Sequence, residues 1–278
     1  MLFEPESEQP VKTLDLPFGG ALSPLDALYV LVEMLIITTG EEQFVPSRRG
    51  VAEKRRLKTI NEYPDDETGE ATLNVLTKAL RILSRITGNS ARSLGLHPAV
   101  YFYNERGRHS SFLFLAMIML ITERVDNNDD LFFKNFSLAR ACLEKFLIEN
   151  KSLISTLLRN ITRTQRVPST RDLLSYLVSQ LTADAVVTPE MAISHLGLRG
   201  RVFDADVNPR QQFSDDVKSI AFIQNALESA LRCPICDGLL DPTKSVSYDH
   251  RVPRRDDGGG EVENVQLAHP YCNTGIKS

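Results

Sequence analysis

The feature that most limits what this chain can fold into is a repeated pair. Cys233 and Cys236 stand two residues apart across Pro234 and Ile235, and His269 and Cys272 repeat that spacing thirty-three residues later. Two such pairs, each reaching a tetrahedral ion from its own turn, are the arrangement of structural zinc sites. Cys233, Cys236, His269 and Cys272 are therefore the expected ligands of a structural Zn²⁺. A segment of about fifty residues folds poorly on hydrophobic burial alone, so a metal staple makes physical sense here. Three of the four cysteines and two of the five histidines lie between Cys233 and Asn273. In a reducing compartment that clustering reads as a metal site rather than a disulfide framework, and the remaining Cys142, in a leucine-rich helix, is expected to be buried.

The remainder is a 278-residue chain that is 42% hydrophobic and 24% charged, room for one large or two ordinary soluble domains. The longest apolar run, Phe112 to Ile121, is about half the roughly 20 residues a membrane span needs, and the leading "MLFEPESEQP" is acidic where a secretory signal is basic and then apolar. The expectation is a cytoplasmic protein with no membrane partner. A net charge of −4 argues against coating nucleic acid by bulk electrostatics. Local basic clusters suffice for phosphate contact, and two exist: Ser47 to Lys58 has six basic residues against one acid, and Arg159 to Arg171 has four against none.

From Ser23 to Gly197 the periodicity is helical. Ser23 as N-cap, Pro24 at the first helical position and Gly40 as the stop bound one helix; Thr188, Pro189 and Gly197 bound another. Between them "ATLNVLTKALRILSRI", "SFLFLAMIMLITERV", "SLARACLEKFLIENKSLISTLLRN" and "STRDLLSYLVSQL" space apolar residues three and four apart, and no strand ladder stands out. The polar stretch Arg199 to Asp216 separates this body from a last helix starting near Ser214. Val217, Ile220, Ile223, Leu227 and Leu231 form its stripe, and it should deliver the chain directly into Cys233 in a fixed orientation. The expected division is 1–213, a helical recognition or regulatory domain, and 214–278, the connecting helix with the terminal module.

Asp249 and His250 are adjacent in "SYDHRVP", so on a regular strand they face opposite sides. For both to serve one site the strand must end there, which Pro253 and the Gly258–Gly259–Gly260 loop make plausible. A hard oxygen ligand beside an imidazole is what metal-assisted phosphodiester hydrolysis requires.

The order Cys-x-x-Cys, Asp-His-x-x-Pro, Gly-Gly, Asn, His-x-x-Cys-Asn over Cys233 to Lys277 resembles the zinc-containing HNH nucleases. With the helical body read from periodicity the chain is expected to be mainly α, and the resemblance implies that it ends in a small zinc-stapled ββα-metal module. It implies His250 as the general base, Asp249 and Asn273 as ligands of a catalytic divalent ion, Mg²⁺ or Mn²⁺, and Asn264 as the residue that braces the loop and fixes the His250 ring. Arg251, Arg254, Arg255 and Lys277 are added as candidate phosphate contacts. Two departures stand out: His269 replaces a frequent cysteine, and Asn273 replaces the last histidine of the name. The family's final helix would have little more than one turn unless the body packs over it, and Gly275 weakens that turn. The region Ser93 to Leu120 resembles the helical part that follows the ParB-like, Asp-Gly-Gln-Gln-Arg-bearing domain in bacterial restriction and defence proteins. Its Tyr101-Phe102-Tyr103 triplet reads as a core edge, with base stacking as the alternative; His97 and His195 read as structural.

The function expected from these readings is a metal-dependent endonuclease acting on nucleic acid, double-stranded DNA first and RNA as an alternative, in restriction or antiviral defence with a protein partner subunit. The rival is a non-enzymatic helical adaptor whose zinc module only positions it.

Overall fold

Pro24 opens the first helix and Gly40 closes it. In the computed structural model, which describes residues 24–46, 53–183, 185–198 and 215–277, α1 spans Pro24–Thr39. Gly40 follows at φ 71°, a left-handed turn that a side chain would strain. Ser23, the tip of the first basic cluster and the linker that carries the expected 213/214 boundary lie outside the described residues. The helical reading missed a hairpin: β1 (Glu42–Pro46) pairs antiparallel with β2 (Glu53–Leu57). Two five-residue strands, one of them mostly charged, are too short for a clear period of two.

Then come α2 (Glu70–Ile86), α3 (Pro98–Tyr101), α4 (Ser111–Asp126), α5 (Asp130–Glu149), α6 (Lys151–Arg159), α7 (Arg163–Thr182), α8 (Pro189–His195) and α9 (Asp215–Glu228). The apolar run noted in the sequence is the spine of α4, which packs on α1, α2 and α7; Phe114, Met117, Ile118 and Ile121 are buried in it. Among the described residues no helix is long and apolar enough to cross a membrane.

Four local expectations need correction. The apolar spacing quoted through Asn150 spans two helices, α5 and α6, which part at Asn150 (φ −110°), and its side-chain amide donates back to the Phe146 carbonyl at 2.9 Å. Helix α7 begins at Arg163, ahead of Pro168, which stands inside it and forfeits one backbone hydrogen bond. Helix α9 ends at Glu228, and of its expected stripe Ile223 is buried and Leu227 packs on the core, while Val217 and Leu231 are exposed. Cys142 is exposed, because the α5 face that turns Leu143, Glu144 and Leu147 inward turns it out. The Tyr101-Phe102-Tyr103 triplet is core, each side chain at most 4% exposed.

Between α9 and Cys233 lies β3 (Leu231–Arg232), paired with β4 (Leu239–Leu240). β5 (Ser247–His250) then pairs antiparallel with β6 (Val265–Ala268), and a π-helical turn, Cys272–Ile276, follows. This is the ββα order. The terminal segment's own apolar cluster holds only Cys233, Leu240, Ala268 and Cys272 as buried members. Leu239 and Tyr271, by contrast, join the main core of the helical body. The short terminal turn is covered by that body: the Tyr271 amide donates to Ser93 O (2.9 Å) and Thr274 Oγ1 to Ala91 O (2.6 Å). Gly275 is there for closeness of packing, since a Cβ would lie 2.9 Å from the Tyr271 ring.

Candidate metal centre and active site

The zinc-type ligands are brought together by two turns. Between β3 and β4 the chain folds into a knuckle in which the Cys233 amide donates to Gly238 O (2.9 Å) and the Asp237 amide to Cys233 O (2.8 Å). His269 and Cys272 enter from the end of β6 and the terminal turn. The four ligand atoms lie within 4.8 Å of one another, and three of the four residues are buried. A tetrahedral zinc with Zn–S near 2.3 Å sets its sulfurs about 3.8 Å apart, so the cluster fits this ion with small side-chain adjustments. His269 turns Nδ1 toward Cys236 (3.4 Å) and Cys272 (3.8 Å) and donates through Nε2 to Leu239 O at 2.9 Å. That second bond selects the tautomer a metal needs. Burial lowers the His269 pKa, which keeps the ring neutral as a ligand must be.

Strand β5 carries the second constellation. Ser247 and Asp249 share one face, and the terminal turn lies over it: Asn273 Nδ2 donates to Ser247 Oγ (2.8 Å) and to Tyr248 O (3.3 Å). Lys277 Nζ donates to Asp249 Oδ2 at 2.7 Å and to the His250 carbonyl at 2.5 Å. Gln266, directly across the ladder from Asp249, donates to the same Oδ2 at 2.7 Å. Burial works to raise the Asp249 carboxyl, but the Lys277 and Gln266 hydrogen bonds outweigh it and hold its pKa below the usual carboxylate range. His250 is the last residue of β5. The His250 ring accepts through Nε2 from Arg254 Nε at 3.4 Å.

Asn264 braces the loop that follows. Its Oδ1 accepts from the Val252 amide (2.8 Å), its Nδ2 donates to Val252 O (3.1 Å) and Gly259 O (2.7 Å), and its carbonyl accepts from the Arg251 amide (2.8 Å). Gly258 is obligatory here, because a Cβ would lie 1.8 Å from Val252 O. Arg251, Arg254 and Arg255 stand exposed around the same loop. Lys277, also expected among the phosphate contacts, lies against Asp249 with its side chain 30% exposed.

With this geometry in place, the comparison with known families decides the segment: residues 233–278 match the family model described as HNH endonuclease. These residues form an HNH domain. The expected mainly helical chain with a C-terminal HNH domain and a Cys/His cluster suited to zinc is what the structure has. No curated protein and no solved structure matches the chain. A domain of a nuclease family supports metal-dependent action on nucleic acid in general.

Sequence reasoning missed Gln266, Ser247, Arg140 and Glu144. Gln266 becomes visible only once the β5–β6 register is known. Arg140 and Glu144 are an i, i+4 pair in α5 that reads in sequence as an ordinary surface ion pair; the structure buries both.

Proposed function

We propose that this chain is a metal-dependent HNH endonuclease that hydrolyses phosphodiester bonds of nucleic acid, with DNA as the substrate. What supports the reading most is that a segment matching the HNH family ends its first ladder strand at Asp249 and His250 and folds Asn273 and Lys277 over that strand. Zn²⁺ would be held by Cys233, Cys236, His269 and Cys272 and has a structural part. Asp249 and Asn273 would hold the catalytic Mg²⁺ or Mn²⁺; Asn273 commits its amide nitrogen to β5 and so offers its oxygen, and hard oxygen donors suit such an ion. When bound, that ion stabilises the charge developing on the leaving oxygen.

The residues of the chain do the rest. His250 takes a proton from the attacking water as general base. In the resting site Arg254 covers one ring nitrogen, so it must turn away before that nitrogen can act, and a backbone phosphate between Arg251, Arg254 and Arg255 gives it somewhere to turn. Asn264 keeps the loop and the His250 backbone in register while this happens. The helical body would serve recognition or regulation in restriction or antiviral defence with a partner subunit, in the cytoplasm.

The deciding experiment is plasmid cleavage by wild type and His250→Ala with Mg²⁺, Mn²⁺ or EDTA, beside the zinc content of both. The expected outcome is cutting that requires the divalent ion and drops at least about 100-fold in the variant at unchanged zinc. Cutting that survives in His250→Ala would remove His250 from the mechanism. No cutting by either protein, even with partners, would favour the adaptor. Cys236→Ser should instead destabilise the HNH domain itself.

A further inference from the structure

The middle of α5 has no part in the chemistry above, yet it holds two of the most enclosed charges among the described residues. Arg140 is 0% exposed and Glu144 2%. Arg140 donates through Nε to Glu144 Oε1 (2.8 Å) and through Nη2 to Gly95 O (2.8 Å), with Nη1 on Leu94 O. Glu144 Oε1 also accepts from the Tyr101 hydroxyl at 3.0 Å. Its other oxygen leaves the helical body and accepts from the Leu239 amide at 2.6 Å. Leu239 is the residue whose carbonyl takes the Nε2 proton of His269.

The route from body to metal ligand is thus Glu144, Leu239, His269. The packing has been shaped for it. Arg140 lies across the zinc knuckle at Gly238, where a Cβ would sit 2.6 Å from Arg140 Cδ. On the other side Gly95, at φ +56°, is where a Cβ would meet the His269 ring at 3.1 Å. Ser245 completes the clasp by accepting from the Gly88 amide at 2.7 Å, and Asn89 Oδ1 accepts from the Val246 amide at 2.8 Å.

A buried ion pair is weak evidence for stability alone, because desolvation offsets much of its attraction. Its retention needs another reason. We propose that Arg140 and Glu144 are positioning residues of the zinc centre: the helical body anchors Leu239, whose carbonyl orients His269, and seats the knuckle, so metal retention by the HNH domain depends on α5. The proposal rests on the zinc reading of the four ligands but not on nuclease activity.

The test uses the full chain: the rate of zinc transfer to a chromophoric chelator, and the visible spectrum of the Co²⁺-substituted protein, for wild type, Arg140→Met, Arg140→Lys and Glu144→Gln. Losing an outer-shell partner costs metal sites about 10- to 100-fold, and losing the anchor of that partner costs less, so Arg140→Met and Glu144→Gln should release zinc at least about threefold faster. Their Co²⁺ thiolate and ligand-field bands should shift while helical circular dichroism is kept. Arg140→Lys, which preserves the charge against Glu144, should recover part of the loss. A folded Glu144→Gln with wild-type release and wild-type Co²⁺ bands would overturn the proposal, and being near-isosteric this variant decides the matter should Arg140→Met fail to fold. Wild type that binds no zinc would sink the zinc reading and the proposal with it, whereas wild type with zinc and unaffected variants would sink the proposal alone.

Discussion

Asp249 Oδ2 already accepts hydrogen bonds from Lys277 and Gln266, both at 2.7 Å, so a divalent ion approaching this carboxylate competes with an ammonium. The sequence placed Lys277 among phosphate-binding candidates because it is basic and close to the motif. Only the π-helical turn, in which the Lys277 amide bonds to Cys272 O, decides that its side chain comes back onto β5. Removing the competitor has a direct consequence. Lys277→Met should tighten Mn²⁺ binding by at least about threefold, the scale of a partly exposed ion pair, read by Mn²⁺ electron paramagnetic resonance without DNA. Unchanged or weaker binding would mean that the ion does not use this oxygen. The three glycines of the loop are separable in the same way. Gly258→Ala drives a Cβ onto Val252 O, whereas Gly260 has open space around it. The first substitution should cost about 2 kcal/mol or more in thermal unfolding of the zinc-loaded protein and Gly260→Ala less than about 0.5 kcal/mol.

At the scale of elements, α5 links the two halves of the chain. Its middle holds the Arg140–Glu144 pair, and just past its end Lys151 opens α6. Lys151 donates to Val100 O (2.8 Å) and Tyr103 O (2.9 Å), tying the α3 segment down, and burial pushes its pKa down to about 7. A folded-state pKa below the unfolded value near 10 means that the unfolded chain binds more protons between about pH 7 and pH 10. The cost of burying the charge is complete below pH 7 and is relieved as pH rises through that window. The zinc-loaded protein should therefore gain stability from pH 7 to pH 9 by up to about 1.4 kcal/mol per pH unit, a slope that Lys151→Met should lack. Denaturant melts at three pH values would show it; parallel slopes would mean that Lys151 keeps its ordinary pKa. The same element shows where pattern reading fails. Apolar spacing continues through Asn150, where the backbone leaves the helical region and two helices meet.

Over the whole molecule the HNH domain is small and borrows its surroundings. Four buried residues make up its own apolar cluster, while Leu239 and Tyr271 belong to the core of the helical body. Chelating the zinc should therefore lower the unfolding temperature of the entire helical signal in one transition. Circular dichroism melts with and without chelator test this; a helical transition that stays in place while a small module melts away would show that the two fold independently.

The Cys/His cluster suited to zinc, the adjacent Asp249 and His250 and the helical character of the body are legible in the sequence, because each depends on residue type at short spacing, while the place of Asn264 came from the family resemblance. Tertiary structure alone decides the partners of those residues. Gln266 meets Asp249 through register, and Glu144 meets Leu239 across 95 positions. Lys277 turns inward through one backbone bond. Such contacts depend on how distant elements pack, and a side chain's chemistry carries no record of which distant atom it will face.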